Sequence, residues 1–262
     1  MAGSATAQSA PPPETAPTPN PVCSETAPEN PRCAAIRARE AVAPQGFPFA
    51  AIGRVYHGRT ETPQKTKNHC TGVLVSERLV LTAAHCLWNG ALKRWSAPET
   101  LAFAAGYRGG TALGSAGVER LVLPGILAER PKFRRMPQED WAMLVLKDRL
   151  GQRLGHLDLF RGKLREAGDG TAYLAGYAGL RGEELTLARD CDRPLAVAGR
   201  LLASCAAMRG DSGAPLIWDG GDGPVLLGIT TAVSTTERPY GTEFAPWFRL
   251  RDALAEERAK GN

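Results

Sequence analysis

The chain has 262 residues, of which 43% are hydrophobic and 23% are charged, as expected for a globular protein with a full-sized core. It contains no run of about 18 apolar residues, so the sequence predicts no transmembrane helix. The formal net charge is +5, but the basic residues are scattered among acidic ones. This pattern favours a solvated surface over a nucleic-acid-binding site, which would show a basic stripe interleaved with aromatic residues.

Residues 1–32 differ in composition from the rest of the chain. They are rich in Pro, Ala, Thr and Glu, and prolines block helices and interrupt strand ladders. We therefore predict an extended or disordered segment, and we expect residues 1–35 to be a tail, either a spacer or a propeptide. Residues 1–10 lack the charged start and apolar centre of a signal peptide, so if the protein is exported we expect its signal to have been removed.

The six cysteines lie in three close pairs. The pairs are Cys23 with Cys33, Cys70 with Cys86, and Cys191 with Cys205. Sequence alone does not choose among the possible connectivities, and local pairing is the simplest hypothesis. Three disulfides would indicate an oxidising compartment, whereas the alternative is six buried thiols in a cytosolic protein.

From Phe47 onward, short apolar runs alternate with turn signals and show no helical period, which predicts β-strands. A turn-rich segment at Asp219–Gly223 predicts a hairpin between the last two strands. The predicted strands are Ala51–Val55, Gly72–Val75, Leu79–Leu81, Ala142–Leu146, Ala172–Gly179, Leu185–Leu187, Pro215–Trp218 and Pro224–Val233.

The C-terminal segment has a different period. Trp247, Leu250 and Leu254 recur at helical spacing after Pro246, which predicts a terminal helix over about residues 247–260. The rest of the chain consists of many short strands with glycine-containing turns. This composition favours an all-β barrel or sandwich architecture.

Three residues have the local context of catalytic side chains. Among four histidines, His85 follows directly on an apolar strand, which presents a side chain rigidly. Ser212 lies between Gly210-Asp211 and Gly213, where glycines permit a tight turn with free amides, although the same residues also suit an ordinary hairpin turn. Asp140 leads into a buried strand, where it needs a partner such as a histidine N–H, although acids also flank strands for other reasons.

Together these segments resemble the trypsin/chymotrypsin family of serine peptidases. The order His, Asp, Ser is that family's order, whereas subtilisin and α/β-hydrolase enzymes use other orders. The resemblance covers about residues 36–262 and is closer to bacterial secreted members, including relatives of glutamyl endopeptidases. The matching segments are Cys70-Thr-Gly-Val-Leu-Val, Leu-Thr-Ala-Ala-His85-Cys86, Asp140-Trp-Ala-Met-Leu-Val-Leu and Gly-Asp-Ser212-Gly-Ala-Pro-Leu.

The resemblance implies two six-stranded antiparallel β-barrels, over about residues 47–150 and 165–247, with the active site in the cleft between them. His85, Asp140 and Ser212 would form the triad of a serine endopeptidase, and the Gly210 and Ser212 amides would bind the oxyanion. We expect a secreted or periplasmic monomer that acts on protein or peptide substrates and needs no metal or organic cofactor. The alternative is a non-catalytic binding protein on the same fold.

The residues of the expected substrate pocket depart from the trypsin pattern. Ala206 stands where trypsin-like enzymes carry an aspartate, and Thr230 stands where glutamyl relatives carry a histidine. We therefore predict a preference for small or apolar side chains, unless Glu243 or Arg209 reaches the pocket. The candidate substrate-binding residues are Ala206, Ala207, Thr230, Thr231, Ala232 and Val233.

Asp211 raises the question of activation. In the trypsin family the aspartate just before the nucleophile pairs with a new N-terminal amine after propeptide cleavage, which implies a zymogen. Counting back without gaps places that terminus near Ile36, but Arg37-Ala38-Arg39 stands where the family has Val-Gly-Gly. The sequence favours processing between Cys33 and Val42, and it leaves open that Asp211 pairs with an internal group and that the chain is active uncut.

Overall fold

The computed structural model of the chain describes residues 23, 31–58, 68–128, 136–189, 191, 194–233 and 241–262. Most of the regular structure in these residues is β-strand. The strands, β1 to β16 in chain order, are Glu40–Ala41, Ile52–His57, Cys70–Leu74, Leu79–Thr82, Trp88–Asn89, Arg94–Trp95, Leu101–Ala105, Gly114–Val122, Ala142–Leu146, Thr171–Gly176, Thr186–Ala188, Leu195–Val197, Arg200–Ala203, Pro215–Asp219, Pro224–Val233 and Thr242–Pro246. The α-helices, α1 to α4, are Pro31–Arg37, Gly125–Ala128, Leu150–Leu154 and Trp247–Ala259.

The first half of the chain folds into a closed barrel of six strands, in the order β2-β3-β4-β9-β8-β7. Its pairs are antiparallel, and β4 lies beside β9 from Leu79 opposite Val145 to Thr82 opposite Ala142. Closure pairs every strand of this sheet on both sides, so the barrel has no free edge. The predicted six-stranded first barrel is therefore confirmed.

Alternation along the barrel strands explains their continuous apolar sequences. In β9, Ala142, Leu144 and Leu146 belong to the apolar cluster inside the barrel, whereas Met143 and Val145 belong to the larger core shared with the second half. Successive side chains of a strand point to opposite faces, so a strand buried on both faces needs an apolar residue at every position.

The second half forms an eight-stranded sheet in the order β1-β11-β10-β14-β15-β16-β13-β12. Among the described residues this sheet is not closed by strand pairing, because its end strands β1 and β12 each pair with one neighbour only. The closed second barrel that the resemblance implied is thus not confirmed. The short N-terminal strand β1 extends one edge of this sheet, and the β12–β13 hairpin extends the other.

The N-terminal part of the described chain departs from the predicted extended tail. Pro31–Arg37 is the helix α1, which begins at proline because the first helical position needs no backbone N–H donor. Cys33 and Ile36 are fully buried, and a disulfide joins Cys33 to Cys23. The rest of the predicted tail, residues 1–22 and 24–30, lies outside the described residues.

The C-terminal helix α4 confirms the predicted period. Trp247, Leu250 and Leu254 are all buried against the large core. Pro246 immediately precedes the helix in an extended conformation. Among the described residues, no helix has both the length and the apolar character needed to cross a membrane.

Candidate active site

Strand pairing brings His85 next to Asp140. His85 lies in a short 3-10 turn that follows β4, and Asp140 lies two residues before β9 begins. Because β4 and β9 are antiparallel neighbours, the end of one strand lies beside the start of the other. The Ala84 N–H donates to the Asp140 carbonyl oxygen at 3.2 Å and ties the two segments together.

Hydrogen bonds link Asp140, His85 and Ser212 in one chain. The Asp140 carboxylate is fully buried and accepts from His85 Nδ1 at 2.7 Å and from the His85 backbone N–H at 2.8 Å. A carboxylate only accepts, so Nδ1 carries the ring proton and Nε2 is the acceptor. His85 Nε2 lies 2.8 Å from Ser212 Oγ, which donates to it.

The loop around Ser212 requires glycine at two positions. Gly210 has φ +98° and Gly213 has φ +81°, in the left-handed region that favours glycine. A Cβ at Gly210 would lie 2.4 Å from the Tyr177 carbonyl oxygen, and one at Gly213 would lie 2.2 Å from the Thr71 carbonyl oxygen. The glycine pattern of the sequence therefore reflects both backbone conformation and close packing.

Thr71, at the start of β3, holds this loop from the first barrel. Its backbone N–H donates to the Ser212 carbonyl oxygen at 2.8 Å, and its hydroxyl donates to the Gly210 carbonyl oxygen at 2.8 Å. The same hydroxyl accepts from the Tyr177 N–H at 3.1 Å. Thr71 is thus a bridge between the two halves of the protein.

Two backbone amides beside the Ser212 hydroxyl are free to bind an anion. Among the described residues, neither the Gly210 amide nor the Ser212 amide donates a hydrogen bond to another group. Both residues line an open cleft of about 550 Å³ between the halves of the protein. Both N–H groups are therefore available as donors to a negatively charged oxygen bound in this cleft.

Four of the six predicted substrate-binding residues line this cleft: Thr230, Thr231, Ala232 and Val233, all from β15. Ala206 and Ala207 are not among the residues that line the cleft, and each is 1% exposed. The opposite wall comes from the first barrel and includes Val55, His57 and Trp88.

Comparison with protein families matches residues 39–177 to the family described as Trypsin. The chain belongs to the trypsin family. The matched segment contains His85 and Asp140 and ends before Ser212. This family membership makes the protein a serine endopeptidase.

The fold is similar to solved structures of low sequence identity. "Structure of Glu endopeptidase in complex with MPD" has a TM-score of 0.62 at 19% identity, covering 84% of this chain and 96% of that one. A thermostable serine protease, AL20, from an extremophilic microorganism has a TM-score of 0.57 at 20% identity, covering 76% and 91%. Protease Anisep from Arthrobacter nicotinovorans has a TM-score of 0.58 at 18% identity, covering 79% and 96%. No curated protein sequence matches the chain.

The sequence left open whether Arg209 or Glu243 reaches the substrate pocket, and the structure places only one of them at the cleft. Arg209 is exposed and lines the cleft, where it donates to Asn68 Oδ1 at 2.9 Å. Glu243 is 8% exposed and accepts two hydrogen bonds from Arg200. Glu243 does not line the cleft.

Sequence analysis missed a polar network behind the Gly210 peptide. The Arg54 side chain is 1% exposed and donates to His69 Nδ1 at 3.0 Å, while its guanidinium carbon lies 4.3 Å from the centroid of the Tyr107 ring. His69 Nε2 lies 2.8 Å from the Tyr177 carbonyl oxygen, so it carries the proton and donates. An arginine inside the apolar sequence of β2 was the available signal, because a buried charge requires partners.

The two tyrosines of this network, Tyr107 and Tyr177, are buried, and the pKa of each hydroxyl is raised. Burial, followed by the hydrogen bond with Glu183, raises the pKa of Tyr107 to about 12. Burial also raises the pKa of Tyr177, whose hydroxyl donates to the Tyr107 carbonyl oxygen at 3.0 Å. Both phenols therefore stay neutral at neutral and mildly alkaline pH.

The three expected disulfides are present in the structure. They join Cys23 to Cys33, Cys70 to Cys86, and Cys191 to Cys205. Among the described residues, one group of potential metal ligands comes together, formed by Cys70, His85 and Cys86. Because its two sulfur atoms are joined to each other, they offer no thiolate to a metal ion.

Proposed function

We propose that the protein hydrolyses peptide bonds through an acyl-enzyme formed on Ser212. Ser212 Oγ attacks the scissile carbonyl carbon while His85 Nε2 accepts the hydroxyl proton. Asp140 holds the imidazole in the tautomer with the proton on Nδ1 and stabilises the imidazolium that forms. His85 then gives its proton to the leaving amine, and a water molecule hydrolyses the ester by the same route in reverse.

The Gly210 and Ser212 amides are proposed to bind the oxyanion of each tetrahedral intermediate. Both amides lack a hydrogen-bond acceptor among the described groups, and both line the cleft. Donors of this kind that are positioned in advance contribute about 100-fold or more to the rate. The Thr71 hydroxyl binds the Gly210 carbonyl oxygen and so holds the Gly210–Asp211 peptide, which lies between the two amides.

One observation carries this proposal: the unbroken hydrogen-bond chain from buried Asp140 through His85 to Ser212 Oγ at the cleft surface. A binding protein on the same fold would not need a buried carboxylate that orients a histidine towards a serine. The alternative of a non-catalytic protein is therefore the outcome against which the proposal is tested.

The test is labelling with a serine-directed fluorophosphonate, combined with peptide hydrolysis. The wild-type protein is expected to be labelled at Ser212 alone, and Ser212→Ala is expected to lose labelling and essentially all turnover. Ser115→Ala, on β8 and outside the cleft, serves as the matched control and is expected to keep both. Peptidase activity near the wild-type level in folded Ser212→Ala would refute the assignment of the nucleophile.

We further propose a preference for small or apolar side chains at the primary specificity site. The cleft wall at Thr230, Ala232 and Val233 carries no charge, and Ala206 and Ala207 supply none beneath it. A charged substrate side chain would be costly to bury in such surroundings. Cleavage of a peptide library dominated by sites after Arg or Lys would refute this, and a dominant preference for Glu would assign a role to Arg209.

The disulfides support a location outside the cytosol. Three bridges among the described residues leave no free cysteine there, and such bridges persist in oxidising compartments. We propose that the protein is secreted or periplasmic, with a peptidase domain that includes helix α1 and with the residues before this helix as a spacer or propeptide. Fractionation of the producing cells, with intact-mass measurement of the exported form, tests this.

A further inference from the structure

Asp211, next to the proposed nucleophile, is fully buried and has a cationic partner from its own chain. Arg39 Nη1 lies 2.9 Å from Asp211 Oδ1, and Arg39 Nη2 lies 2.9 Å from Asp211 Oδ2. The side chains are 1% and 0% exposed. A planar guanidinium that meets a carboxylate through two parallel hydrogen bonds is the most directional ion pair available to a protein.

The Arg39 guanidinium also contacts two other residues, one in the loop before Asp211 and one in strand β11. Arg39 Nη2 donates to the Ala206 carbonyl oxygen, and Nη1 lies 3.5 Å from Thr186 Oγ1. Asp211 Oδ2 additionally accepts the Met208 N–H at 3.0 Å. Arg39 therefore links both ends of the loop 206–211, which contains Gly210 and ends one residue before Ser212.

The chain around Arg39 is part of the folded domain. Strand β1 begins at the next residue and pairs with β11, with Glu40 opposite Leu187. Arg181 donates to the carbonyl oxygens of Arg37 and Arg39. The segment from α1 to β1 therefore packs as an integral element and holds Arg39 in place.

Helix α1 also contacts the wall of the nucleophile loop directly. Ile36 and Cys33 are fully buried in one apolar cluster with Ala178 and Ala206. Cleavage between Cys33 and Val42 would cut through this packed segment, and a cut before Arg39 would separate it from α1.

We infer that Arg39 is a positioning residue that makes the uncut chain a competent peptidase, with no new amino terminus required. The inference rests on the proposed role of Ser212. The Arg39 guanidinium neutralises Asp211, and the paired carboxylate fixes the loop so that the Gly210 and Ser212 amides face the cleft. This selects the internal partner for Asp211 that the sequence had left open beside proteolytic processing.

The first experiment measures the mass of the active species. The full wild-type chain is treated with the fluorophosphonate, and the intact mass of the labelled protein is determined without reduction. Label on chains that retain residues 31–42 uncut supports the inference. Label found only on chains cut between Cys33 and Val42 overturns it and leaves the proposed function standing. Absence of label at Ser212 in every form refutes the proposed function, and the inference fails with it.

The second experiment removes the ion pair. Arg39→Met is expected to lower kcat/KM by about 100-fold or more, the size of effect seen when one oxyanion donor is lost, with a slower rate of labelling at Ser212. Glu40→Gln is the matched control at the next residue. It removes the negative charge from the exposed 2.7 Å contact with Arg189 and is expected to leave kcat/KM unchanged. A folded Arg39→Met variant with the wild-type kcat/KM overturns the inference.

Arg39→Lys keeps the charge but offers a single ammonium in place of the planar fork, and it carries the test if Arg39→Met does not fold. We expect about a tenfold loss of kcat/KM near neutral pH, and a further fall above about pH 10 as the lysine loses its proton. The wild-type enzyme should keep its activity there, since a guanidinium stays protonated. The surrounding charged groups Glu40, Arg181, Glu184 and Arg189 are the same in both proteins. Identical alkaline profiles would overturn the inference.

Discussion

Thr71→Val tests whether the first barrel positions the proposed oxyanion site. Valine has nearly the shape of threonine, so the substitution removes the hydroxyl without opening a cavity. Thr71 is fully buried, and its hydroxyl donates to the Gly210 carbonyl oxygen at 2.8 Å and accepts the Tyr177 N–H at 3.1 Å. Thr71→Val therefore leaves two peptide groups in buried residues without these partners.

The expected size of the effect follows from those two lost bonds. Each buried group left without a partner costs about 1–3 kcal/mol, so the loss of both bonds should lower the free energy of unfolding by about 2–6 kcal/mol. Without its bond to Thr71, the Gly210–Asp211 peptide loses its anchor, and a turn of this peptide displaces the Gly210 and Ser212 amides on either side of it. Loss of a well-placed oxyanion donor lowers the rate by about 100-fold or more, and partial misplacement should lower kcat/KM by about 10- to 100-fold.

The assay combines urea unfolding with kcat/KM on a peptide anilide. Thr71→Ser keeps the hydroxyl and serves as the control, with kcat/KM expected to stay within about threefold of wild type. If Thr71→Val is less stable but its kcat/KM stays within about twofold of wild type, the hydroxyl is purely structural and the reasoning is refuted.

Three further predictions concern single features of the structure. Asp140→Asn should keep the fold but lower kcat by about 10,000-fold, because an amide favours the wrong tautomer of His85; a stopped assay on purified protein measures this, and a loss below about tenfold would contradict it. Replacing Cys70 and Cys86 together by alanine should lower stability by about 3 kcal/mol in urea, and unchanged stability would be the contrary result. Glu257→Gln should reduce the loss of stability between about pH 5 and 3, and identical acid unfolding curves would count against it.

The Glu257 prediction follows from the direction of its pKa. Burial raises the pKa of this carboxyl, but hydrogen bonds and charges from Arg120 and Lys260 outweigh burial and hold the pKa below its ordinary value. A group whose pKa is lowered on folding stabilises the protein above its unfolded pKa, and this contribution is lost as the pH falls through the folded pKa. Glutamine has no proton to gain, so its variant lacks this part of the acid dependence.

The strands that could be predicted from sequence are those with a strong apolar signal and clear turns. Strands Ala142–Leu146 and Pro224–Val233 have the predicted bounds, and the helix at Trp247 begins where Pro246 indicates. Strand Leu101–Ala105 was not predicted, because three alanines give it little β-propensity. Helix Pro31–Arg37 was missed because a proline-rich composition hides a helix that a disulfide and tertiary packing stabilise.

Some parts of the candidate site depend on residues that are close in sequence, and others depend on contacts between distant residues. The turns that carry His85 and Ser212 are encoded within a few residues, so local motifs were enough to predict them. Arg39 and Asp211 are 172 positions apart, and nothing near Arg39 in the sequence indicates its partner. Such a contact depends on how the first strand adds to the sheet, which local patterns do not encode.

The open edge of the second sheet has a consequence for how the protein behaves at high concentration. Within the described part of the chain, strand Leu195–Val197 pairs on one side only, and its side chains Leu195 and Val197 are 58% and 46% exposed. An apolar strand with one row of unpaired backbone groups is a template for a strand from another molecule. Self-association should therefore begin at this edge, and Val197→Lys should raise solubility without touching the cleft.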